Sequence, residues 1–253
     1  MNKKLILILT EPRTGSTFLN EALNLYSVYP TGEIFQDHTL FEGQEDPEFH
    51  FNTLLQNNLS VKLFDFLKVE QGNFVEFIKQ MNLNPINFLL KLYEISPSSV
   101  VVKLHKFQAE SFQIDKILDL PFVEIIILER SNRLARYTSL MIAMEMNKWA
   151  GIDTSDKQVV IDRERFIQTE EESKNWFNVI KHQCSLKNYL EINYERDLEN
   201  FNVEHFYKLF DTWFKKINLI VIKTDYEVRR FEKQNRSPLQ YSIINYKELE
   251  DFI

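Results

Sequence analysis

The sequence is poor in the residues on which disulfide-rich, loop-rich and membrane proteins depend. Its 253 residues include 5 glycines, 7 prolines and one cysteine, Cys184. A lone cysteine excludes an intrachain disulfide and a cysteine zinc cluster. So few glycines and prolines argue against a loop-rich, collagenous or disordered chain. No apolar stretch approaches the roughly 20 residues of a membrane-spanning helix. These absences predict a cytoplasmic protein in a reducing compartment, without a transmembrane segment.

An excess of positive charge is also missing. The chain has 30 Lys and Arg against 37 Asp and Glu, which gives a formal net charge of −7. We therefore expect no nucleic-acid partner, since such partners require a basic face. An anionic ligand would need a local positive site. Apolar residues, in contrast, are abundant: they make up 44% of the chain and include 21 phenylalanines, enough for a sizeable core.

Apolar runs alternate with segments of helical periodicity. Short continuous runs are typical of strands buried on both faces, and they occur at residues 5–10, 100–104 and 122–128; a further strand is expected at residues 189–193. Helical spacing is found at residues 18–26, 86–95, 134–149, 162–187, 206–213 and 241–252. This alternation predicts a parallel sheet covered by helices on both faces. We expect one α/β domain over residues 1–253, with a helical insertion at about 36–99.

A polar turn at residues 11–17 joins the first strand to the first helix. Strand, glycine turn and helix N-terminus form the geometry in which backbone N–H groups converge on a phosphate. Arg13 adds a guanidinium group, and Thr14, Ser16 and Thr17 add hydroxyl donors. The alternative is a simple linker turn, because Ser and Thr are common helix caps.

The nucleotide-binding pattern G-x-x-x-x-G-K-[ST] does not fit this turn. With Gly15 as the second glycine of the pattern, Thr10 occupies the place of the first glycine and Ser16 that of the lysine. Both defining residues are missing, which disfavours an ATPase or a kinase.

A second candidate anion site follows the third strand. Arg130 stands at the carboxyl end of that strand, where α/β folds bind ligands, and Ser139 lies on the next helix. Arg133 and Arg136 are expected to raise the local positive potential. The alternatives are a surface ion pair for Arg130 and, for Ser139, a bond back to its own helix.

The two motifs together resemble those of sulfotransferases. Residues 12–17, Pro-Arg-Thr-Gly-Ser-Thr, are similar to the 5′-phosphosulfate loop P-[KR]-[ST]-G-[ST]-[ST]. Arg130 and Ser139, nine positions apart, are similar to the arginine and serine of the 3′-phosphate motif. The resemblance is to the bacterial branch that includes trehalose and nodulation-factor (lipopolysaccharide-type) sulfotransferases. Weaker similarities lie at residues 32–35, 102–104, 194–198, 236–239 and 244–249.

This resemblance implies a three-layer, P-loop-like α/β fold. It also implies 3′-phosphoadenosine 5′-phosphosulfate (PAPS) as the sulfuryl donor, with no metal. The acceptor would be a hydroxyl of a carbohydrate or glycolipid-type molecule, whose oxygen attacks sulfur in line while the phosphate oxygen leaves. Cofactor binding is assigned by the resemblance to Pro12, Arg13, Thr14, Gly15, Ser16, Thr17, Arg130, Ser139 and Arg236.

Catalytic roles follow from the same resemblance. Arg13 would stabilise charge on the leaving phosphate, with Lys103 as an assistant. Glu33 would take the proton of the acceptor hydroxyl, and His38 and His105 are the reserve candidates for this base.

The sequence departs from the branch at Glu129, which replaces one member of an Arg-Arg pair. A carboxylate there would either weaken the 3′-phosphate site or orient Arg130.

Two other functions stay open: a P-loop-like nucleotide phosphotransferase or NTPase, and a non-catalytic module that binds a nucleotide bisphosphate. The histidines show no H-E-x-x-H spacing and residues 15–17 do not form G-x-S-x-G, which argues against a metal or serine hydrolase. A homodimer is left open.

Overall fold

Parallel strands form the centre of the structure. The computed structural model describes residues 3–31, 34–35, 59–146, 154–228 and 238–252. Its strands are β1 (Leu5–Thr10), β2 (Tyr29–Pro30), β3 (Val100–His105), β4 (Val123–Glu129) and β5 (Leu190–Asn193). They are ordered β2-β3-β1-β4-β5, and every neighbouring pair is parallel. All carboxyl ends therefore lie at one edge of the sheet, with β1 in the middle.

Helices cover both faces of this sheet. They are α1 (Ser16–Ala22), α2 (Leu59–Leu67), α3 (Phe74–Leu83), α4 (Pro85–Ile95), α5 (Lys106–Ser111), α6 (Asp115–Leu118), α7 (Arg133–Met146), α8 (Arg163–Gln183), α9 (Val203–Lys216) and α10 (Leu239–Ser242). Shorter helical turns span Leu23–Leu25, Tyr194–Leu198 and Tyr246–Phe252. The expected α/β fold, with a central parallel sheet flanked by helices, is confirmed.

The alternation of side chains along β1 divides the core into two layers. Leu5, Leu7 and Leu9 pack with the apolar faces of α2, α3, α4 and α8. Ile6 and Ile8 pack on the other side, with α1 and α9. All five side chains are fully buried. Helices α2, α3 and α4 lie in the stretch between β2 and β3 that the sequence predicts to be helical.

The register of the strands places the turn after β1 in the middle of the carboxyl edge. Thr10, the last residue of β1, is opposite His105, the last residue of β3. On the other side, Leu9 is opposite Ile127 of β4. Residues that follow β1, β3 and β4 therefore meet at one place.

The C-terminal segment differs from the expected single helix over residues 241–252. Helix α10 ends at Ser242, because Ile243 is extended (φ −121°, ψ 119°) and pairs with Val159. The Asn245 side chain then bonds both the amide and the carbonyl of Ile161, at 2.9 and 2.8 Å. Pairing with a distant segment thus overrides the helical pattern.

Strand β2 is not predicted from the sequence. It has only two residues, too few for a period-2 signal.

An aromatic cluster around Phe210 fixes α9 against the sheet, which predicts a large effect of truncation. The Phe210 side chain is fully buried, with ring centroids of Tyr26 and Phe206 at 6.1 and 4.4 Å. We expect Phe210→Ala to lower the free energy of unfolding by about 3 to 5 kcal/mol, because the cavity cannot close fully. Urea unfolding measures this. Leu186→Ala, at a 99% exposed position, is the control and should stay within about 0.5 kcal/mol; similar losses in both would contradict this packing.

Candidate anion-binding site

The turn that follows β1 is sharply bent at two positions. Arg13 has φ 67° and Gly15 has φ 81°, so both lie in the left-handed region. Gly15 immediately precedes α1, and its carbonyl oxygen accepts a hydrogen bond from the Leu19 amide at 3.0 Å. A turn bent in this way gathers successive backbone N–H groups on one side, as anion-binding backbone does.

Two threonine hydroxyls hold this turn in place. Thr14 Oγ1 donates to the Glu11 carbonyl oxygen at 2.8 Å and lies 2.5 Å from Thr10 Oγ1. Thr10 Oγ1 in turn donates to the Leu128 carbonyl oxygen at 2.9 Å, which ties the turn to β4. Both threonines are fully buried, whereas Thr17 is exposed. The Thr14 hydroxyl, expected as a ligand donor, therefore serves the turn itself.

The two sequence motifs converge in space. Arg13 Nε donates a hydrogen bond to Ser139 Oγ at 2.9 Å, across 126 positions of sequence. Arg130 Nη1 donates to the carbonyl oxygen of Arg13 at 3.1 Å, across 117 positions. The turn after β1, the end of β4 and helix α7 thus form one site. The Ser139 hydroxyl therefore bonds a side chain of the turn, whereas the alternative interpretation has it bonding back to its own helix.

Two guanidinium groups lie together in this site. Burial and the nearby charge of Arg130 both lower the pKa of Arg13. Arg130 Nε is buried and, within the described ranges, forms no hydrogen bond; its nearest carboxylate oxygen, Glu195 Oε1, is 3.4 Å away. Placing two like charges together is unfavourable, and an anion bound between them would remove that repulsion. A ligand with more than one phosphate group fits these residues.

Tyr194 and Glu195, which follow β5, complete the site, and the sequence shows their roles only faintly. The Tyr194 ring lies directly against Gly15, where any Cβ would overlap it, and the Arg130 guanidinium stands 4.8 Å from the ring centroid. The Glu195 carboxylate accepts from the Ser131 and Asn132 amides at 2.7 and 3.1 Å. The only signal was the weak similarity at residues 194–198.

Asp197 holds the turn that carries these two residues. Its carboxylate accepts from the Asn193 amide at 2.8 Å and from Arg196 Nε at 2.8 Å, and it contacts His205 Nε2 at 3.1 Å. Burial alone would raise the pKa of Asp197, but these hydrogen bonds outweigh burial and lower it. The carboxylate is therefore ionised and bound to the turn at neutral pH.

The sequence predicts that Arg133 and Arg136 raise the positive potential of the site, and this prediction is wrong. Arg133 Nη2 lies 3.1 Å from Glu129 Oε2. Arg136 Nη2 lies 2.5 Å from Glu170 Oε1, and its side chain is only 2% exposed. The carboxylates that neutralise them come from β4, from α8 and from Glu11, which follows β1; the spacing of residues in α7 does not reveal them.

Glu129, the departure from the sulfotransferase pattern, contacts Arg133 and Lys181 in the described part of the chain. Its Oε1 lies 2.5 Å from Lys181 Nζ. Successive residues of a strand point to opposite faces, so the last residue of β4 and the Arg130 that follows it diverge. Glu129 therefore links β4 to α7 and α8 rather than weakening or orienting Arg130.

Three of the expected functional residues, Glu33, Arg236 and His38, lie outside the described residues. The chain on both sides of Glu33 is anchored at the sheet. The Thr31 amide donates to the Val101 carbonyl oxygen at 2.9 Å, and the Phe35 carbonyl oxygen accepts from Gln108 Nε2. The first contact is with β3, and the second is with α5, the helix that follows β3.

His105 and Lys103 lie on β3, beside the turn. His105 ends the strand opposite Thr10, is buried, and stacks on Phe107 with 5.9 Å between ring centroids. Lys103 is opposite Ile8, two residues before the strand ends, and is 3% exposed. The reserve base thus stands at the edge that carries the site, while Lys103 lies deeper in the sheet.

Neither a metal-binding cluster nor a membrane-spanning helix is found among the described residues. Within residues 3–31, 34–35, 59–146, 154–228 and 238–252, no group of three or more His, Cys, Asp or Glu side chains is placed to hold a metal ion. In the same part of the chain, every helix is too short or too polar to span a membrane.

Solved structures with a related arrangement of strands and helices include two sulfotransferase domains. One, from the curacin biosynthetic pathway, is 13% identical with a TM-score of 0.49, and the match covers 95% of this chain and 82% of that domain. The other, from the Synechococcus PCC 7002 olefin synthase, is 12% identical with a TM-score of 0.44, covering 97% and 84%. No protein-family model and no curated protein matches the sequence. Function is therefore inferred from the geometry of the site itself.

The overlap between a Cβ at position 15 and the Tyr194 ring gives a prediction for Gly15→Ala. We expect this variant to lose more stability than backbone strain explains, by about 1 to 3 kcal/mol, because the ring must move. Gly72→Ala is a matched control: Gly72 has φ 88° and no atom within 4 Å of its added Cβ, so it reports left-handed strain alone, about 1 to 2 kcal/mol. Urea unfolding of both variants measures the difference; equal losses would show that Tyr194 does not restrict the turn.

Proposed function

We propose that this protein is a sulfotransferase that moves a sulfuryl group from PAPS to a hydroxyl of a carbohydrate or glycolipid-type acceptor. The observation that carries the proposal is the convergence of two anion motifs. Arg13 bonds Ser139 and Arg130 bonds Arg13, at 2.9 and 3.1 Å. A ligand with phosphate groups at two positions of one nucleoside needs two such sites side by side.

The residues divide into two subsites. The turn at residues 12–17 would hold the 5′ phosphosulfate through its backbone N–H groups, with Arg13 opposite the developing charge on the leaving phosphate oxygen. Arg130 and Ser139 would hold the 3′ phosphate, with Arg236 as a further ligand. When bound, PAPS supplies the sulfuryl group and becomes the 3′,5′-bisphosphate. Because arginines carry the positive charge, no metal is required.

Glu33 is proposed as the general base for the acceptor hydroxyl. A carboxylate can take this proton because the hydroxyl becomes acidic only as its oxygen attacks sulfur. The role rests on the resemblance of residues 32–35 to the Gly-Glu-x-Phe segment of the trehalose-type enzymes. The acceptor class rests on the resemblance to the trehalose and nodulation-factor branch.

The two-subsite proposal predicts how affinity depends on the phosphates. By calorimetry, 3′,5′-bisphosphoadenosine should bind at least about 10-fold more tightly than 5′-AMP, a difference of about 1.4 kcal/mol. Arg130→Met and Ser139→Ala should remove most of this advantage. Arg165→Met, which removes one positive charge from an exposed position of α8, is the control and should preserve it. Equal affinities of the wild type for both ligands would contradict the assignment.

The role of Glu33 predicts a loss of turnover without a loss of cofactor affinity. Glu33→Gln keeps size and polarity but removes the proton acceptor, so the rate of sulfate transfer should fall about 10² to 10⁴-fold. Affinity for the bisphosphate should stay within about three-fold. The measurement is transfer of labelled sulfate from PAPS to a panel of carbohydrate and glycolipid acceptors.

Two comparisons make this test specific. Glu171→Gln alters an exposed glutamate of α8 and should leave turnover unchanged. Unchanged turnover in Glu33→Gln with a collapse in His105→Gln would instead assign the base to His105. A wild type that binds the bisphosphate but transfers sulfate to no acceptor would favour the non-catalytic module.

A further inference from the structure

The Glu11 carboxylate is buried directly below the anion-binding turn. Its residue is 5% exposed. Oε2 accepts a hydrogen bond from Ser173 Oγ of α8 at 2.7 Å. The same oxygen lies 3.4 Å from Arg136 Nη1 and 3.7 Å from Arg133 Nη1, both on α7. The residue that precedes Pro12 thus ties the turn to two helices at once.

We propose that Glu11 is a positioning residue that sets the distance between the two anion subsites. The inference rests on the proposed function, because it concerns how the 5′ and 3′ phosphates of one nucleotide are bound together. Glu11 itself would touch neither phosphate. It would act through Arg136 and Ser173, which hold the turn at a fixed place on α7 and α8.

Helix α7 carries both Arg136, which contacts Glu11, and Ser139, a proposed phosphate ligand. Arg136 and Ser139 are three residues apart and therefore lie on one face of the helix, about one turn from each other. Glu11 faces Arg136, while Arg13, two residues later, bonds Ser139. The turn is thus attached to α7 at two places about one helical turn apart. Glu11 contacts Arg136, and Arg13, a proposed ligand-binding residue, bonds Ser139.

The two attachments differ in what a ligand would do to them. The Arg13–Ser139 and Arg130–Arg13 hydrogen bonds use groups that are proposed to bind phosphate. When these groups turn to phosphate oxygens, the bonds between them weaken or break. The contacts of Glu11 with Ser173 and Arg136 use no ligand-binding group, so they can hold the turn in place in the bound state.

The internal shape of the turn does not depend on the Glu11 side chain. The Thr14 hydroxyl bonds the carbonyl oxygen of Glu11, not its carboxylate, and the Tyr194 ring restricts Gly15 from the other side. Loss of the carboxylate should therefore leave a turn that still binds one phosphate. What should change is its place relative to Arg130 and Ser139.

A negative charge at this place does not oppose anion binding, because it is paired. Arg136 stands between Glu11 and Glu170, with its side chain 2% exposed. Arg133 contacts the same two carboxylates, at 3.7 Å in each case. The opposite charges cancel in sum, so the field of each pair falls off faster with distance than that of a single carboxylate.

The test compares ligands with one and with two phosphates. In Glu11→Gln the dissociation constant of 3′,5′-bisphosphoadenosine should rise by about 10-fold or more, because the second contact of a bivalent ligand depends on the spacing of the sites. The constants of 5′-AMP and 3′-AMP should each rise by less than about three-fold, since either phosphate can still be bound alone. Ser173→Ala removes the other contact of the carboxylate with less disturbance and should shift the bisphosphate in the same direction.

Glu129→Gln is the matched control. Glu129 belongs to the same network of charges, although it is only partly buried, and contacts Arg133 and Lys181, but it contacts no residue of the turn among those described. We expect it to preserve the preference for the bisphosphate, even if thermal unfolding shows a similar loss of stability. A purely structural role for Glu11 would weaken all three ligands equally in Glu11→Gln, and that result would overturn the inference.

The outcome also separates this inference from the proposed function. If the wild type binds 5′-AMP and the bisphosphate equally well, the two-subsite proposal itself fails. If the wild type prefers the bisphosphate and both Glu11→Gln and Ser173→Ala keep that preference, only the positioning role of Glu11 fails.

Discussion

The contact between Gly15 and the ring of Tyr194 is the constraint on which the carboxyl edge of the sheet depends. The two residues follow β1 and β5, which are separated in the sheet by β4. For them to touch, the turns after both strands must lean over the end of β4, where Arg130 begins the next segment. Arg130 then lies against the Tyr194 ring and the Arg13 carbonyl. Strand order thus dictates which turns can meet, and the missing Cβ decides how closely.

In this acidic protein, the arginines around the turn have different partners at different depths. Arg133 and Arg136 lie among carboxylates from β4, from α8 and from Glu11, the residue that follows β1, and so they act as structural links between layers. Arg13 and Arg130 lie nearer the edge. Arg13 bonds the Ser139 hydroxyl, and Arg130 bonds the Arg13 carbonyl oxygen and lies 3.4 Å from Glu195 Oε1. Helix α7 thus supplies both Arg136, which contacts Glu11, and Ser139, which bonds Arg13.

Much of this could be predicted from sequence because the signals were local. Continuous apolar runs identified β1, β3 and β4, and a glycine between a strand and a helix identified the turn. The motif of Arg130 and Ser139 predicted two residues that both bond Arg13 in the structure. What could not be predicted depends on partners distant in sequence: the Thr14 hydroxyl bonds within the turn, and Glu129 contacts Lys181, 52 positions away. Burial of Glu11 likewise required α8 to be in place.

The nine-residue spacing between Arg130 and Ser139 has a physical reason in this structure. Arg130 is the first residue after β4, whereas Ser139 lies six residues after the first residue of α7, about 9 Å along the helix axis. A helix is a rigid spacer. Because the Glu195 carboxylate bonds the amides of Ser131 and Asn132 just before α7, the heights of Arg136 and Ser139 above the sheet are fixed. A turn is not rigid in this sense. Its position relative to such a spacer must come from contacts outside it, and the buried contacts of Glu11 supply them.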